Sequence, residues 1–267
     1  MLDVSLFLPL DDVNPNYVPP NLILYCHCNA SNKLECKQYV EYLPKNYGIA
    51  SFDFLGCGNT KNMYISLGCR ESQQIRAVAY ALRPMFKRII PWGRSMGASS
   101  VLMYGEAPIM VVDSPYTSPG RVGKDALYGS KSKIPACCVC CLFPCVYCCV
   151  RSSVKEKAQY DMSDIDNIKS VRRMSPQQAI IFIVGKDDDI VLPSHSERLY
   201  KNFSGRKQML VVEGTHVTRR KRAVFEEVLR LLDQYIYEND SMMQFHTQPV
   251  VTSGRMLVPM MPFPNFR

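Results

Sequence analysis

The 267-residue sequence has little of what would mark a membrane-spanning, secreted or nucleic-acid-binding protein. One apolar stretch, residues 134–150, lacks charge for long enough to be weighed as a span, but it has 17 residues and prolines at 135 and 144. A transmembrane helix needs about 20 without a break, so a multi-span protein is excluded. The N-terminus has no basic region, and Asp3, Asp11 and Asp12 stand where a secretory signal is apolar. The expected compartment is therefore reducing cytosol, where cysteines stay thiols. No zinc-finger or RNA-recognition signature accompanies the net charge of +8, so no nucleic-acid partner is expected. No internal repeat is present. What remains is 47% hydrophobic and 21% charged, too apolar for general disorder and long enough to bury a core.

Two features are unevenly spread. Residues 118–178 carry +5 of the net +8, and seven of the 12 cysteines fall between positions 137 and 149: Cys137, Cys138, Cys140, Cys141, Cys145, Cys148 and Cys149. The other five, Cys26, Cys28, Cys36, Cys57 and Cys69, are scattered through core or loop positions, where a free thiol acts as a small hydrophobe.

Short apolar runs alternate with longer amphipathic ones, the pattern of a parallel sheet covered by helices. Strands are expected at 22–27, 49–55, 88–92, 108–113, 179–185 and 208–213, and helices at 33–47, 71–82, 95–104, 195–203 and 220–237. Pro91 sits awkwardly in a central strand, since proline cannot donate to the ladder. Residues 118–178 interrupt the alternation and read as a cap inserted over a site. The expected organisation is one domain over 1–238 containing that insert, then a disordered tail over 239–267.

Gly93-Arg94-Ser95-Met96-Gly97 is a G-x-S-x-G between a strand and a helix. A sharp turn there lifts a serine hydroxyl above the sheet, and the glycines permit close backbone approach. A serine needs a base and the base needs an orienting group. Asp187-Asp188-Asp189 and Thr215-His216 each follow an expected strand, giving the order Ser95, Asp188, His216, with Asp188 favoured among three consecutive aspartates. Of the four histidines, His216 alone is placed as a general base; His27 is suited to shaping the loop after the first core strand, His195 begins a helix and His246 lies in the expected tail. Oxyanion donors are expected from the N–H of Met96 and from the loop after the first strand, Asn29 first and Ala30 next.

These motifs resemble α/β-hydrolases of the serine-aminopeptidase-like and acylglycerol-lipase-like branch, including intracellular forms related to acyl-protein thioesterases. The likeness runs over residues 20–236. It is carried by His27-Cys28-Asn29, Phe52-Asp53-Phe54-Leu55-Gly56-Cys57-Gly58, Tyr64–Gly68, Trp92–Ala98, Val112–Tyr116, Lys157-Ala158-Gln159-Tyr160-Asp161, the three aspartates and Ser194-His195-Ser196. It implies an α/β-hydrolase fold, a mostly parallel central sheet flanked by helices, with Ser95 as nucleophile, Asp188 as acid and His216 as base, and no cofactor or metal. The chain departs from the family at Cys28, where the family has glycine, and in having only about twenty residues before its first clear strand, so that N-terminal edge strands are expected to be missing or degenerate. Asp53 is expected to hold a loop.

The reading that follows is a serine hydrolase acting on carboxylic esters or thioesters of lipophilic acyl groups: small-molecule or lipid esters, or an acylated protein. Its rival is a hydrolase-fold protein serving as a membrane-associated binding module, favoured by Cys28 and the short N-terminus. For the cysteine cluster, a zinc site at Cys138, Cys141, Cys145 and Cys148 is disfavoured by crowding. A greasy cap and reversible S-acylation both remain open. Flanking Lys131, Lys133, Arg151, Lys155 and Lys157 would supply the second signal for peripheral attachment at the cytosolic face of a membrane.

Overall fold

The computed structural model describes residues 2–14, 16–60, 63–128 and 136–246, with backbone alone for 136–139 and 242–246. Seven strands form one sheet: β1 (Val4–Phe7), β2 (Asn21–Cys26), β3 (Tyr47–Phe52), β4 (Arg88–Arg94), β5 (Ile109–Asp113), β6 (Ala179–Gly185) and β7 (Arg206–Val212). Their order is β1-β3-β2-β4-β5-β6-β7, and every pair is parallel except β1 with β3. Eight α-helices connect them among the described residues: α1 (Lys37–Val40), α2 (Cys69–Leu82), α3 (Met96–Tyr104), α4 (Pro119–Tyr128), α5 (Ala136–Ala158), α6 (Asn167–Arg173), α7 (Pro193–Asn202) and α8 (Arg222–His246).

The runs that read as buried strands are buried on both faces, as a parallel sheet demands. Side chains alternate between two cores because successive residues of a strand point to opposite faces. Leu22, Leu24, Cys26, Ile180 and Phe182 face the layer of α2, α3, α6 and α7, through Ile75, Val101, Val171 and Leu199. Ile23, Tyr25, Ile181 and Ile183 face α1 and α8, through Tyr39, Phe225, Val228 and Leu232. Phe225 stacks on Tyr39 at 4.8 Å and on Trp92 at 5.6 Å.

Several expectations are corrected. An edge strand does precede residue 20: β1, four residues long and antiparallel, too short to show a period. The helix expected over 33–47 is a 3-10 turn (Lys33–Cys36) capped by the Asn32 side chain, followed by the single turn α1. Pro44 disfavours helix at Leu43, and Tyr47 already belongs to β3. Pro91 lies in the middle of β4 rather than at its end; β4 pairs with β2 along its length but with β5 only from Trp92 onward, so the proline stands just before the second ladder begins. Helix α8 runs past 238, and Asp240 pairs with Arg88 and Lys87. The rest of the expected tail, 247–267, lies outside the described residues.

The insert folds as α4, the 23-residue α5, a 3-10 turn (Met162–Asp164) and α6. Gly120 lets α4 approach the Tyr147 ring of α5, where a Cβ would lie 2.8 Å away. Arg151 grips Asp161 at 2.5 and 2.7 Å. No helix among the described residues is long and apolar enough to cross a membrane.

Replacing Phe225 by alanine removes the ring that joins α8 to the sheet and is expected to destabilise the fold by about 3–5 kcal/mol. Urea denaturation measures it, and an unchanged midpoint would contradict this account of α8.

Candidate active site

Ser95 occupies the single residue between β4 and α3, at φ 53° and ψ −113°. Positive φ is costly for a residue with a Cβ and persists only where surrounding contacts impose it. Here the Ser95 N–H donates to the Asp113 carbonyl at 2.8 Å, and the Ser95 carbonyl accepts from the Ser99 N–H at 3.0 Å. The two glycines of the motif are required by contact. A Cβ on Gly93 would lie 2.2 Å from the Gly97 oxygen, and one on Gly97 would lie 2.0 Å from the Cys26 oxygen. The turn therefore presses α3 against β2 and lifts the hydroxyl above the sheet.

His216 follows β7 and Asp188 follows β6, and both reach the same point. His216 Nε2 lies 2.9 Å from Ser95 Oγ, and His216 Nδ1 lies 2.8 Å from Asp188 Oδ2. With its Nδ1–H given to the carboxylate, the ring turns the Nε2 lone pair toward the serine hydroxyl. Of the three aspartates, the fold buries Asp188 and leaves Asp187 and Asp189 exposed. Burial opposes charge on Asp188, but hydrogen bonding and attraction from His216, with the Val191 N–H and Ser114 hydroxyl, outweigh it and hold the carboxyl below its ordinary value. Its second oxygen accepts the N–H groups of Ile190 at 3.1 Å and Val191 at 2.8 Å.

Two buried arginines fix the loop that carries His216. Arg94 Nη2 donates to the carbonyls of His216 at 2.8 Å and Thr218 at 2.9 Å. Arg220 forms a bidentate pair with Asp113 at 2.7 and 2.9 Å, both side chains being 1% exposed, and also donates to Ser114 Oγ at 3.2 Å. Burial opposes the charge of each guanidinium, yet neighbouring acids, Asp113 foremost, raise both above the ordinary value. Sequence reading missed Arg220 by placing it inside the last helix, which begins at Arg222. An arginine four residues beyond the histidine, with a lone aspartate ending a core strand, was the available signal.

The loop after β2 supplies the other wall. His27 is fully buried; its Nε2 accepts from the Phe54 N–H at 3.1 Å, so its Nδ1–H donates to the Cys28 carbonyl at 2.8 Å. The Cys28 N–H donates to Glu35 Oε2 at 3.1 Å. Among the described residues the positive-φ positions include Ala30 at 58° but not Cys28. The side chain at 28 thus enters where a glycine is not needed, and the positive φ falls two residues later, at Ala30. Burial, then the Glu35 charge, pushes the Cys28 thiol up to about 11. The Ala30 N–H is taken by Asn29 Oδ1 at 2.9 Å. Met96 heads α3, where the first N–H groups have no acceptor within the helix. Asp53 accepts the N–H groups of Lys33 at 2.7 Å and Asn59 at 3.1 Å, so it holds loops together away from Ser95.

A cleft of about 890 Å³ opens over Ser95 and His216, walled by the Cys28–Gln38 segment, Arg94, Ile190, Val217 and Arg219. None of its lining comes from the described residues of 118–178. The insert instead lies beside a separate hollow with Arg121, Tyr147 and Arg198. In place of a roof over the cleft, α5 exposes Cys140, Cys141, Cys145, Cys148 and Cys149 to solvent; the Cys137 and Cys138 side chains lie outside the described residues. Among the described residues no cluster of three His, Cys, Asp or Glu could hold a metal.

No family model matches the chain. A Bacillus subtilis (strain 168) protein described as uncharacterized protein YqkD is 24% identical over 240 residues, covering 83% of this chain and 73% of that one. Among solved structures, a Paleococcus ferrophilus monoacylglycerol lipase is similar with a TM-score of 0.59 at 17% identity, over 88% of this chain and 98% of that one. The Pyrococcus furiosus esterase Pf2001 gives 0.58 at 18% identity, over 89% and 92%. XC6422 of Xanthomonas campestris, described as an α/β serine hydrolase without lid, gives 0.51 at 18%, over 80% of each chain. These likenesses establish that the chain has the α/β-hydrolase fold.

The buried histidines generate a pH prediction. His195 on α7 accepts the Thr117 N–H on Nδ1 at 3.1 Å, and its Nε2 lies 3.2 Å from Asp125 of α4. Burial lowers both His27 and His195 below the ordinary value of 6.5. A histidine held uncharged in the fold but free to charge when unfolded stabilises above its unfolded pKa, and that contribution is lost as pH falls. Tm is therefore expected to be flat above about pH 7 and to fall from about pH 6.5 downward. His27→Asn should flatten that slope. A wild-type Tm independent of pH down to about 5 would contradict it.

Proposed function

We propose that the protein is a serine hydrolase that cleaves carboxylic esters or thioesters through a covalent acyl-enzyme. The observation that carries this reading is the unbroken line of hydrogen-bond distances from Ser95 Oγ to His216 Nε2, and from His216 Nδ1 to Asp188. Ser95 attacks the acyl carbonyl as His216 takes the hydroxyl proton, and Asp188 stabilises the imidazolium and keeps its orientation. The oxyanion is bound by the N–H of Met96 and by that of Asn29, ahead of Ala30, whose N–H is already engaged. Collapse expels the alcohol or thiol, which receives its proton from His216. Water activated by the same base then releases the acid.

The rival reading, a catalytically weak or inactive membrane-associated binding module, rests on Cys28 and the short N-terminus; Cys28 is not among the positive-φ residues. A lipophilic acyl group was expected from a greasy cap. The cleft instead combines Leu34, Ile190 and Val217 with the charged Glu35, Arg94 and Arg219. Chain length is thus the property to measure, for small-molecule or lipid esters and for acylated proteins alike.

The exposed face of α5 supports a second, separate role. Its outward thiols, beside the exposed Leu142, Val146 and Val150, suit S-acylation: a thiolate attacks an acyl thioester donor, forming a new thioester and releasing the donor's thiol. Lys155 and Lys157 would then meet anionic headgroups at the cytosolic face of a membrane.

On a series of p-nitrophenyl esters of increasing chain length, the wild type should release nitrophenol and Ser95→Ala should not. Asp188→Asn should remain folded and lose about 10⁴-fold in kcat, the effect of presenting the wrong tautomer. Hydrolysis by Ser95→Ala at the wild-type rate would contradict the assignment. Metabolic labelling with a palmitate analogue should tag the wild type but not a form with all seven clustered cysteines changed to serine; equal labelling of both would overturn the acylation reading.

A further inference from the structure

We propose that Glu35 and Arg94 form a positioning strut that locks the oxyanion loop and the histidine loop into one unit; this rests on the hydrolase reading above. Glu35 lies in the 3-10 turn after the oxyanion loop, with its side chain 11% exposed. One carboxylate oxygen accepts the Cys28 N–H at 3.1 Å, and the other accepts the Tyr25 hydroxyl at 2.9 Å. Across from it, 3.6 Å away, is Arg94 Nη1, on a side chain 7% exposed. The far side of the same guanidinium holds the carbonyls of His216 and Thr218. A continuous chain therefore runs from the Cys28 N–H through Glu35 and Arg94 to the backbone of the base.

The placement has mechanical consequences. Arg94 is the residue immediately before the nucleophile, at the buried end of β4, so the strut is anchored on a core strand. The histidine is held by its backbone carbonyl, which leaves both ring nitrogens for Ser95 and Asp188. The Cys28 N–H is turned inward to Glu35 and its carbonyl accepts from His27 Nδ1, so Cys28 is held on both sides just before Asn29. Arg94 and Glu35 are 7% and 11% exposed, so each is the near-buried partner the other requires. Both residues line the cleft, yet Glu35 accepts from Cys28 and Tyr25 and Arg94 Nη2 donates to the His216 and Thr218 carbonyls. They act through His216 and the loop, so they are positioning residues rather than catalytic ones.

A structural role alone would lower the amount of active protein and its Tm. A positioning role lowers the rate constant of each active molecule. The test is steady-state hydrolysis of p-nitrophenyl acetate, normalised by titrating reactive serine, for wild type, Glu35→Gln, Arg94→Met and Arg94→Lys. Misplacement of catalytic groups by about 1 Å costs up to about 100-fold, so Glu35→Gln and Arg94→Met are expected to lose at least about tenfold in kcat per active site with KM changed less than about threefold. Arg94→Lys, which can still donate to one carbonyl, should recover part of the loss. If Arg94→Met does not fold, Glu35→Gln, which keeps the volume, decides the question. Folded variants that keep kcat within about twofold of wild type would overturn the strut. A wild type that neither hydrolyses the ester nor titrates would instead overturn the hydrolase reading beneath it.

Discussion

The buried pair of Asp113 and Arg220 is the constraint on which the rest of the site depends. Two charges withdrawn from water are tolerable only together, and losing one partner of such a pair costs about 3–5 kcal/mol. Asp113 ends β5 and gives its carbonyl to the Ser95 N–H, which fixes the strained turn; its carboxylate grips Arg220, which closes the loop bearing His216. One residue thus registers the Ser95 turn against the His216 loop. Asp188 completes the triangle from β6, the neighbouring strand, where its own turn N–H groups hold the carboxylate in place. The distances around Ser95 follow from strand register as much as from local loop chemistry.

Charge is arranged in two layers about this centre. One layer is Ser95, His216 and Asp188, and the other is the near-buried ions Arg94, Glu35, Asp113 and Arg220. Of these ions Arg94 and Glu35 also line the cleft, and Asp113 and Arg220 do not. These ions bond to backbone and hydroxyl groups of the loops, which holds the loops in place beside the cleft.

Much of this was legible in the sequence, and the limits are physical. Strands β2, β4, β5 and β6 are buried on both faces, so their apolar runs stand out, and G-x-S-x-G between two such elements marks Ser95. The rule of chain order placed Asp188 and His216 because both follow parallel strands at the same sheet edge. What stayed hidden was of two kinds. Elements too short for a period leave no pattern, as β1 does, or are read as part of something longer, as α1 is within the helix expected over 33–47. Ion pairs formed across the chain, Asp113 with Arg220 and Arg94 with Glu35, join residues whose local sequence says nothing of the partner. The insert was legible as an interruption, but composition shows only that a segment is greasy and not which way it faces: none of its described residues lines the cleft.

The most direct measurement is the site of covalent capture. The native protein would be treated with a fluorophosphonate, digested with trypsin and fragmented in a mass spectrometer. Cleavage after Arg94 puts Ser95 at the head of the peptide ending at Arg121, so its adduct is separable from one on Ser99, Ser100 or Ser114. The expected result is a phosphonyl group on Ser95, lost when the protein is unfolded before treatment. No adduct, or one on another serine of the native protein, would contradict the assignment of Ser95 as nucleophile.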